Sequence, residues 1–292
     1  MEKTTGLIIK AISGFYYVEA ADRVYECKAR GSFRRKGISP AVGDRAEISI
    51  IAEDKAEVED ILPRRNYLIR PPLANLDRLF IVSSAAQPQP NLRIIDKISA
   101  VAFSKDIEPV IIFTKSDLED CGKLTDIYNS IGIKSFACSM HSEDSRKQIM
   151  DLLKDKVSAF TGNTGVGKST LLNSLFPELE ITTAEISRKL GRGRHTTRHS
   201  ELYKVGGGYV ADTPGFSTVD IDRYELIRKD DIAYCFPEFR EHLGECQFTG
   251  CSHRVEKGCA VIEAVKNGSI PVSRHESYRQ MYDEVKDIPE WK

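Results

Sequence analysis

The sequence predicts a mainly parallel α/β domain, preceded by a small β-barrel and followed by a mainly α, cysteine-bearing segment. Three features carry this reading. Residues 1–70 form short runs of β-branched and aromatic residues between turns, residues 71–220 alternate apolar strands with helices, and residues 221–292 are polar, helical and loop-rich. A chain of 292 residues is long enough for two or three compact units.

The expected N-terminal strands are Gly6–Ile9, Phe15–Val18, Val24–Cys27, Ala46–Ile51 and Ala56–Ile61, with Ser13-Gly14 and Ala21-Asp22 as breaks. So many short strands in so little chain favour a small barrel of the oligonucleotide/oligosaccharide-binding (OB) type. Pro71-Pro72 reads as a stiff boundary. Beyond it, strands are expected at Leu79–Ser83, Val110–Phe113, Ser135–Cys138 and Val157–Phe160. Helices are expected at Leu92–Phe103, Leu118–Ser130, Ser145–Lys154 and from Lys168, an alternation that calls for a sheet covered on both faces. Asp230–Phe236 and Ser273–Val285 are the expected C-terminal helices.

A net charge of -1 excludes a global polycation, so any RNA-binding surface must be a local patch. No apolar run approaches the ~20 residues that span a bilayer, and Met1–Lys10 lacks a signal-peptide core. The expectation is a cytoplasmic protein with no membrane partner, and nothing suggests a dimer interface. Seven cysteines, an odd number, argue against a disulfide framework. Cys27, Cys121, Cys138 and Cys235 are expected as small buried hydrophobes.

Gly162-Asn163-Thr164-Gly165-Val166-Gly167-Lys168-Ser169 matches G-x-x-x-x-G-K-[ST] between an apolar strand and a helix, and Thr170 follows it. The glycines let backbone N–H groups turn inward around phosphates, and the helix start adds its positive end. Lys168 is expected on the β- and γ-phosphates and Ser169 on Mg²⁺. Thr114-Lys115-Ser116-Asp117, at the end of a strand, is similar to the guanine-reading N-K-x-D motif. Asp117 can accept from guanine N1–H and the 2-amino group, donors that adenine lacks. Lys115 would cover the base with its stem, while Thr114 in place of Asn alters the bracing of this loop. Ser139, after the next strand, fits a backbone contact to the guanine oxygen.

Asp212-Thr213-Pro214-Gly215 has the form of a second switch: Asp212 on Mg²⁺ through water, Gly215 N–H sensing the γ-phosphate. Gly191–Arg198 contains the threonines of a first switch, and Thr197 is favoured over Thr196 for Mg²⁺. Phe216 stands where many GTPases carry a water-orienting glutamine, so slow intrinsic hydrolysis is expected. His195 is the internal substitute, because imidazole exchanges protons near neutral pH; a contact with a partner is its alternative role. The base motif precedes the phosphate loop, the reverse of the ordinary order, so the GTPase motifs are circularly permuted.

Cys246, Cys251, His253 and Cys259 fall within fourteen residues and suit one structural tetrahedral Zn²⁺ with no open position. Lys28, Arg30, Arg34, Arg35 and Lys36 form an acid-free basic run around Phe33, a pattern that suits phosphate contacts and base stacking. Arg274, His275 and Arg279 offer a second, smaller patch on the last helix.

In this order the motifs resemble the ribosome small-subunit-dependent GTPase A family of bacteria. Val42-Gly43-Asp44 and Arg70-Pro71-Pro72-Leu73-Ala74-Asn75 extend the likeness to nearly the whole chain. The resemblance implies an OB domain at 1–70, a permuted GTPase domain at 71–220 and a zinc-knuckle domain at 221–292. It also implies late maturation of the small (30S) ribosomal subunit, rRNA contact and subunit-stimulated hydrolysis of GTP to GDP. The family's proposed catalytic histidine falls on His195. A nucleotide-regulated RNA-binding module with negligible turnover is the competing class, and Asp117 with Asp212–Gly215 argues against a small-molecule kinase.

Overall fold

The computed structural model describes residues 2–29, 33, 39–139, 142–177, 200–212 and 225–288. The chain divides into two compact units, Met1–Arg78 with Arg146–Phe160 and Leu172–Phe216, and Leu79–Ser145 with Thr161–Leu171 and Ser217–Lys292.

In the first unit, β1 (Lys3–Ile12), β2 (Phe15–Ala20), β3 (Arg23–Ala29), β4 (Arg45–Ala52) and β5 (Lys55–Ile61) close a barrel. β1 pairs with both β2 and β4, β2 pairs with β3, β5 pairs with β4, and β3 and β5 pair in parallel. Alternating residues point inward, so Ile8, Val18, Cys27, Ile48 and Val58 fill the core. Phe33 packs into this core and is 3% exposed. That corrects its expected role as an RNA-stacking ring, because the apolar interior already covers its faces.

Pro71-Pro72 forms the turn of a small hairpin, β6 (Tyr67–Leu68) with β7 (Leu73–Ala74), rather than a bare spacer. The hairpin is tied to the barrel: Ala74 N–H donates to Val42 O at 2.9 Å, and Asn75 Nδ2 donates to Gly43 O at 2.9 Å. Gly43 has φ +90°, and a Cβ there would sit 2.0 Å from Ala74 O, so only glycine permits the approach. Next to it, buried Asp44 accepts two bonds of 2.7 Å from the Arg64 guanidinium.

The same unit contains β11 (Val157–Thr161), β12 (Glu201–Val205) and β13 (Gly208–Asp212). β12 and β13 make a hairpin, and β13 runs parallel to β11. Gly206 and Gly207, at φ +60° and +75°, supply the two left-handed turn residues that the strand twist requires.

The second unit holds β8 (Arg78–Ser84), β9 (Glu108–Thr114) and β10 (Ser135–Cys138), with β9 between the other two. Helix α1 (Leu92–Ser104) starts at Asn91, whose side chain accepts from Ile94 N–H, an N-cap. Helix α2 (Gly122–Asn129) starts later than the expected Leu118, because Lys115 sits at φ +59° and Leu118 N–H closes a turn on Lys115 O. Helix α3 (Glu143–Leu153) and helix α4 (Lys168–Leu175) follow along the chain.

The expected helix at Asp230–Phe236 is a single 3₁₀ turn, Ile232–Cys235, and a second, Pro237–His242, follows it. Pro237 holds Phe236 in an extended conformation, which separates the two turns. Helix α5 (Ala260–Lys266), not expected from sequence, precedes helix α6 (Val272–Val285). The C-terminal segment has more core than its composition suggested. Tyr278 packs at 4.9 Å from Phe239 and 5.4 Å from Phe236, and all three rings are buried. The basic patch expected on α6 is also corrected: Arg274 is fully buried and His275 is 8% exposed, and of the three only Arg279 is exposed.

Candidate nucleotide site and metal centre

Register sets which strand ends share an edge. β9 and β10 are parallel with Thr114 opposite Cys138, so the segments that begin at Lys115 and Ser139 leave at one edge. β11 and β13 are parallel with Ala159 opposite Ala211, so both strands run in one direction and Asp212 closes β13 at its carboxyl end. Carboxyl ends of parallel strands are where such sheets bind ligands.

The phosphate loop follows β11 and runs into α4. Gly165 and Gly167 adopt φ +83° and +88°, which side chains disfavour, and a Cβ on Gly162 would lie 2.5 Å from Val82 O. The result is a backbone cradle at a helix N-terminus, shaped for oxyanions. Asn163, Thr164, Gly165 and Thr170 are exposed, Val166 is buried beneath the loop, and Lys168 and Ser169 are half-buried. The hydroxyl of Ser169 is a hard oxygen donor of the kind Mg²⁺ takes.

Thr114 is buried, and its hydroxyl points to two backbone carbonyls, Ser83 O at 3.1 Å and Val166 O. A threonine therefore still braces the base-motif loop against the phosphate loop. Lys115 spans the same gap: its ammonium donates to Gly165 O at 2.9 Å and to Gln87 O. Asp117 is exposed and Ser139 is half-buried. His195, Thr197 and Gly215 lie outside the described residues, as do Arg30, Arg34, Arg35 and Lys36. Lys28 is described, with its ammonium 5.1 Å from the centre of the Phe15 ring.

In the C-terminal segment, one donor atom from each of Cys246, Cys251, His253 and Cys259 lies within 4.8 Å of the others. Zinc bonds of about 2.3 Å to sulfur and 2.0 Å to nitrogen place tetrahedral ligand atoms roughly 3.5–3.8 Å apart. Cys246 and Cys259 Sγ are 3.8 Å apart, and His253 Nδ1 is 3.4 Å from each. The set fits. Burial and the neighbouring sulfurs push the Cys259 thiol up to about 12, so a thiolate there requires a cation. Burial likewise lowers His253, keeping its imidazole neutral and able to ligate.

Three supports around these ligands had no sequence signal of their own. The Glu256 carboxylate accepts from the N–H groups of Ser252, Arg254 and Val255 at 2.8–2.9 Å and from the Ser252 hydroxyl, which fixes the turn between Cys251 and Cys259. Burial would raise its pKa; these bonds outweigh that and hold it at about 2. From α6, the His275 ring reaches His253 O at 2.7 Å, and the Tyr278 hydroxyl donates to Ser252 O at 2.8 Å.

Known proteins share this architecture. The RsgA GTPase family model matches residues 61–222, and the RsgA N-terminal domain model matches residues 5–58. Proteins named small ribosomal subunit biogenesis GTPase RsgA are similar throughout. That of Geobacillus sp. (strain WCH70) is 42% identical over 97% of both chains. That of Caldanaerobacter subterraneus subsp. tengcongensis is 42% identical over 98% of this chain and 97% of its own. Among solved structures, YloQ, described as a circularly permuted GTPase, superposes with a TM-score of 0.82 at 35% identity, covering 98% of this chain and 96% of its own. YjeQ from Thermotoga maritima superposes with a TM-score of 0.83 at 30% identity, covering 99% and 100%. With its motifs in permuted order and its likeness to these proteins running along nearly its whole length, the chain belongs to the RsgA GTPase family and is a circularly permuted GTPase.

Proposed function

We propose that this GTPase acts in the cytoplasm as a late maturation factor of the small ribosomal subunit, hydrolysing GTP to GDP in response to the subunit. The observation that carries the nucleotide assignment is the brace between Thr114–Lys115 and the phosphate loop, closed by the 2.9 Å bond to Gly165 O. It links base reading to phosphate holding. The ribosomal assignment is supported by the names of the relatives. The domain reading is OB at 1–70, GTPase at 71–220 and zinc knuckle at 221–292, in a monomer.

In this reading Asp117 accepts from guanine N1–H and the 2-amino group, and the Ser139 loop meets the guanine oxygen. Backbone N–H groups of Asn163 to Ser169 hold the phosphate oxygens, Lys168 neutralises the developing charge, and Thr170 flanks them. Ser169, Thr197 and Asp212 hold Mg²⁺, which when bound offsets phosphate charge. Gly215 senses the γ-phosphate and His195 orients or deprotonates water. Cys246, Cys251, His253 and Cys259 hold one structural Zn²⁺. Lys28, Arg30, Arg34, Arg35 and Lys36 contact rRNA phosphates.

Changing Asp117→Asn tests base reading directly. An amide donates where the carboxylate accepted, so guanine should lose affinity and xanthine, with a carbonyl at that position, should gain it. Retained guanine preference would contradict the assignment.

A further inference from the structure

The barrel is bonded to the strand pair that ends in Asp212. β12 begins and β13 ends at one cross-strand pair, Glu201 opposite Asp212. On its other side Glu201 is the register partner of Lys10 in barrel strand β1, and the Lys10 ammonium lies 2.8 Å from its carboxylate. Lys10, Glu201 and Asp212 therefore stand in one row across three strands. A register shift in β1 between Ile8 and Lys10 frees the strand from its barrel spacing at the point where it meets β12.

A second contact grips both hairpin strands at once. Glu19 of β2 accepts from Lys204 Nζ at 2.7 Å and from the Tyr209 hydroxyl at 2.6 Å, and Lys204 and Tyr209 are themselves register partners. Burial would raise the Glu19 carboxyl, but the bonds from Lys204 and Tyr209 hold it below its usual value, so it stays charged. Without β1, β12 would be an edge strand, and strand ends at an edge fray first. The fraying end would be the Glu201–Asp212 pair.

We propose that the N-terminal barrel positions Asp212, with Lys10–Glu201 and Glu19–Lys204–Tyr209 as the positioning contacts, so that a load on the barrel reaches the Mg²⁺ side of the nucleotide site. The proposal rests on the reading of Asp212 as a Mg²⁺ residue and adds the barrel to the residues that set its place.

The test uses the full chain with two variants: Lys10→Ala/Glu19→Ala, and the charge exchange Lys10→Glu/Glu201→Lys. Amide hydrogen exchange in the nucleotide-free protein should accelerate across β12 and β13 in the first variant, with β9 unchanged. The Mg²⁺ concentration needed to retain bound GDP should rise by roughly 2- to 5-fold, the size expected for losing partly exposed ion pairs. GDP affinity in chelator should not change, and the charge exchange, which keeps Glu19 and an opposite-charge pair between β1 and β12, should leave both readouts near wild type. Unchanged exchange, or faster exchange with no shift in Mg²⁺ dependence, would overturn the proposal and leave the barrel contact purely structural. If instead Asp212→Asn leaves the Mg²⁺ dependence untouched, the reading of Asp212 fails and takes the proposal with it.

Discussion

Arg274 Nη1 lies 2.8 Å from Asp96 Oδ1, and both side chains are completely buried. Arg274 Nε also bonds Glu238 Oε1 at 2.7 Å, and its guanidinium stacks 4.5 Å from the centre of the Phe236 ring. Asp96 accepts in addition from the Tyr128 hydroxyl at 2.9 Å. One arginine thus ties α6 to α1 and, through Asp96, to α2. Burial alone would lower the Arg274 pKa; Asp96 and Glu238 outweigh it and raise it.

Replacing Arg274 by Met leaves two buried carboxylates without a counter-charge. The expected loss is about 3–5 kcal/mol, read as a lower urea midpoint of the metal-loaded protein. Replacing Arg274, Asp96 and Glu238 together by apolar residues should cost less than the single change. A triple variant weaker than the single one would contradict this assignment of the cluster.

Thr114→Val keeps the shape but removes the hydroxyl shared by Ser83 O and Val166 O. A buried acceptor left unpaired costs about 1–3 kcal/mol, so GDP affinity should fall by roughly 10-fold, while Thr114→Ser stays near wild type. Fluorescent GDP titration decides it. Equal affinities for Val and Ser would remove the brace from the site.

Glu256→Gln should weaken metal binding by about 10-fold or more, since supports of ligands have effects of that order. Its carboxyl is held at about 2, below its ordinary value of 4.5, so its contribution is fully present above 4.5 and is lost only as the pH falls through about 2. The loss factor should therefore be equal at pH 6 and pH 8. Competition with a chromophoric chelator measures it, and a factor that changes between those pH values would count against the assignment.

Cys251→Ser, or removal of metal by chelator, should disorder residues 246–259 and leave the barrel intact. Near-ultraviolet dichroism of the tyrosines and amide exchange would report the two parts separately. Full order without metal would show that the Phe236–Phe239–Tyr278 core alone holds the segment.

The barrel strands and the β9 and β10 strands were legible because alternation and short apolar runs are local signals. The phosphate loop was legible because strand, glycines and helix adjoin in sequence. Arg274 was not: an arginine on a polar helix looks exposed until Asp96, 178 residues away, is placed beside it. Phe33 misled in the same way, its basic neighbours suggesting a surface while its ring belongs to the barrel core. The Thr114 brace depends on Val166, 52 residues away, and no spacing encodes it. The β12–β13 hairpin did have a signal, Gly206-Gly207 between alternating residues, and so did the break at Pro237.

Steady-state hydrolysis of GTP and ATP, with and without purified bacterial small ribosomal subunits, decides whether this protein is a GTP-specific switch that answers to the subunit. Slow turnover of GTP alone, raised strongly by the subunits, is the expected result. Equal turnover of ATP and GTP would contradict the base assignment, and GTP turnover indifferent to the subunits would contradict the ribosomal one.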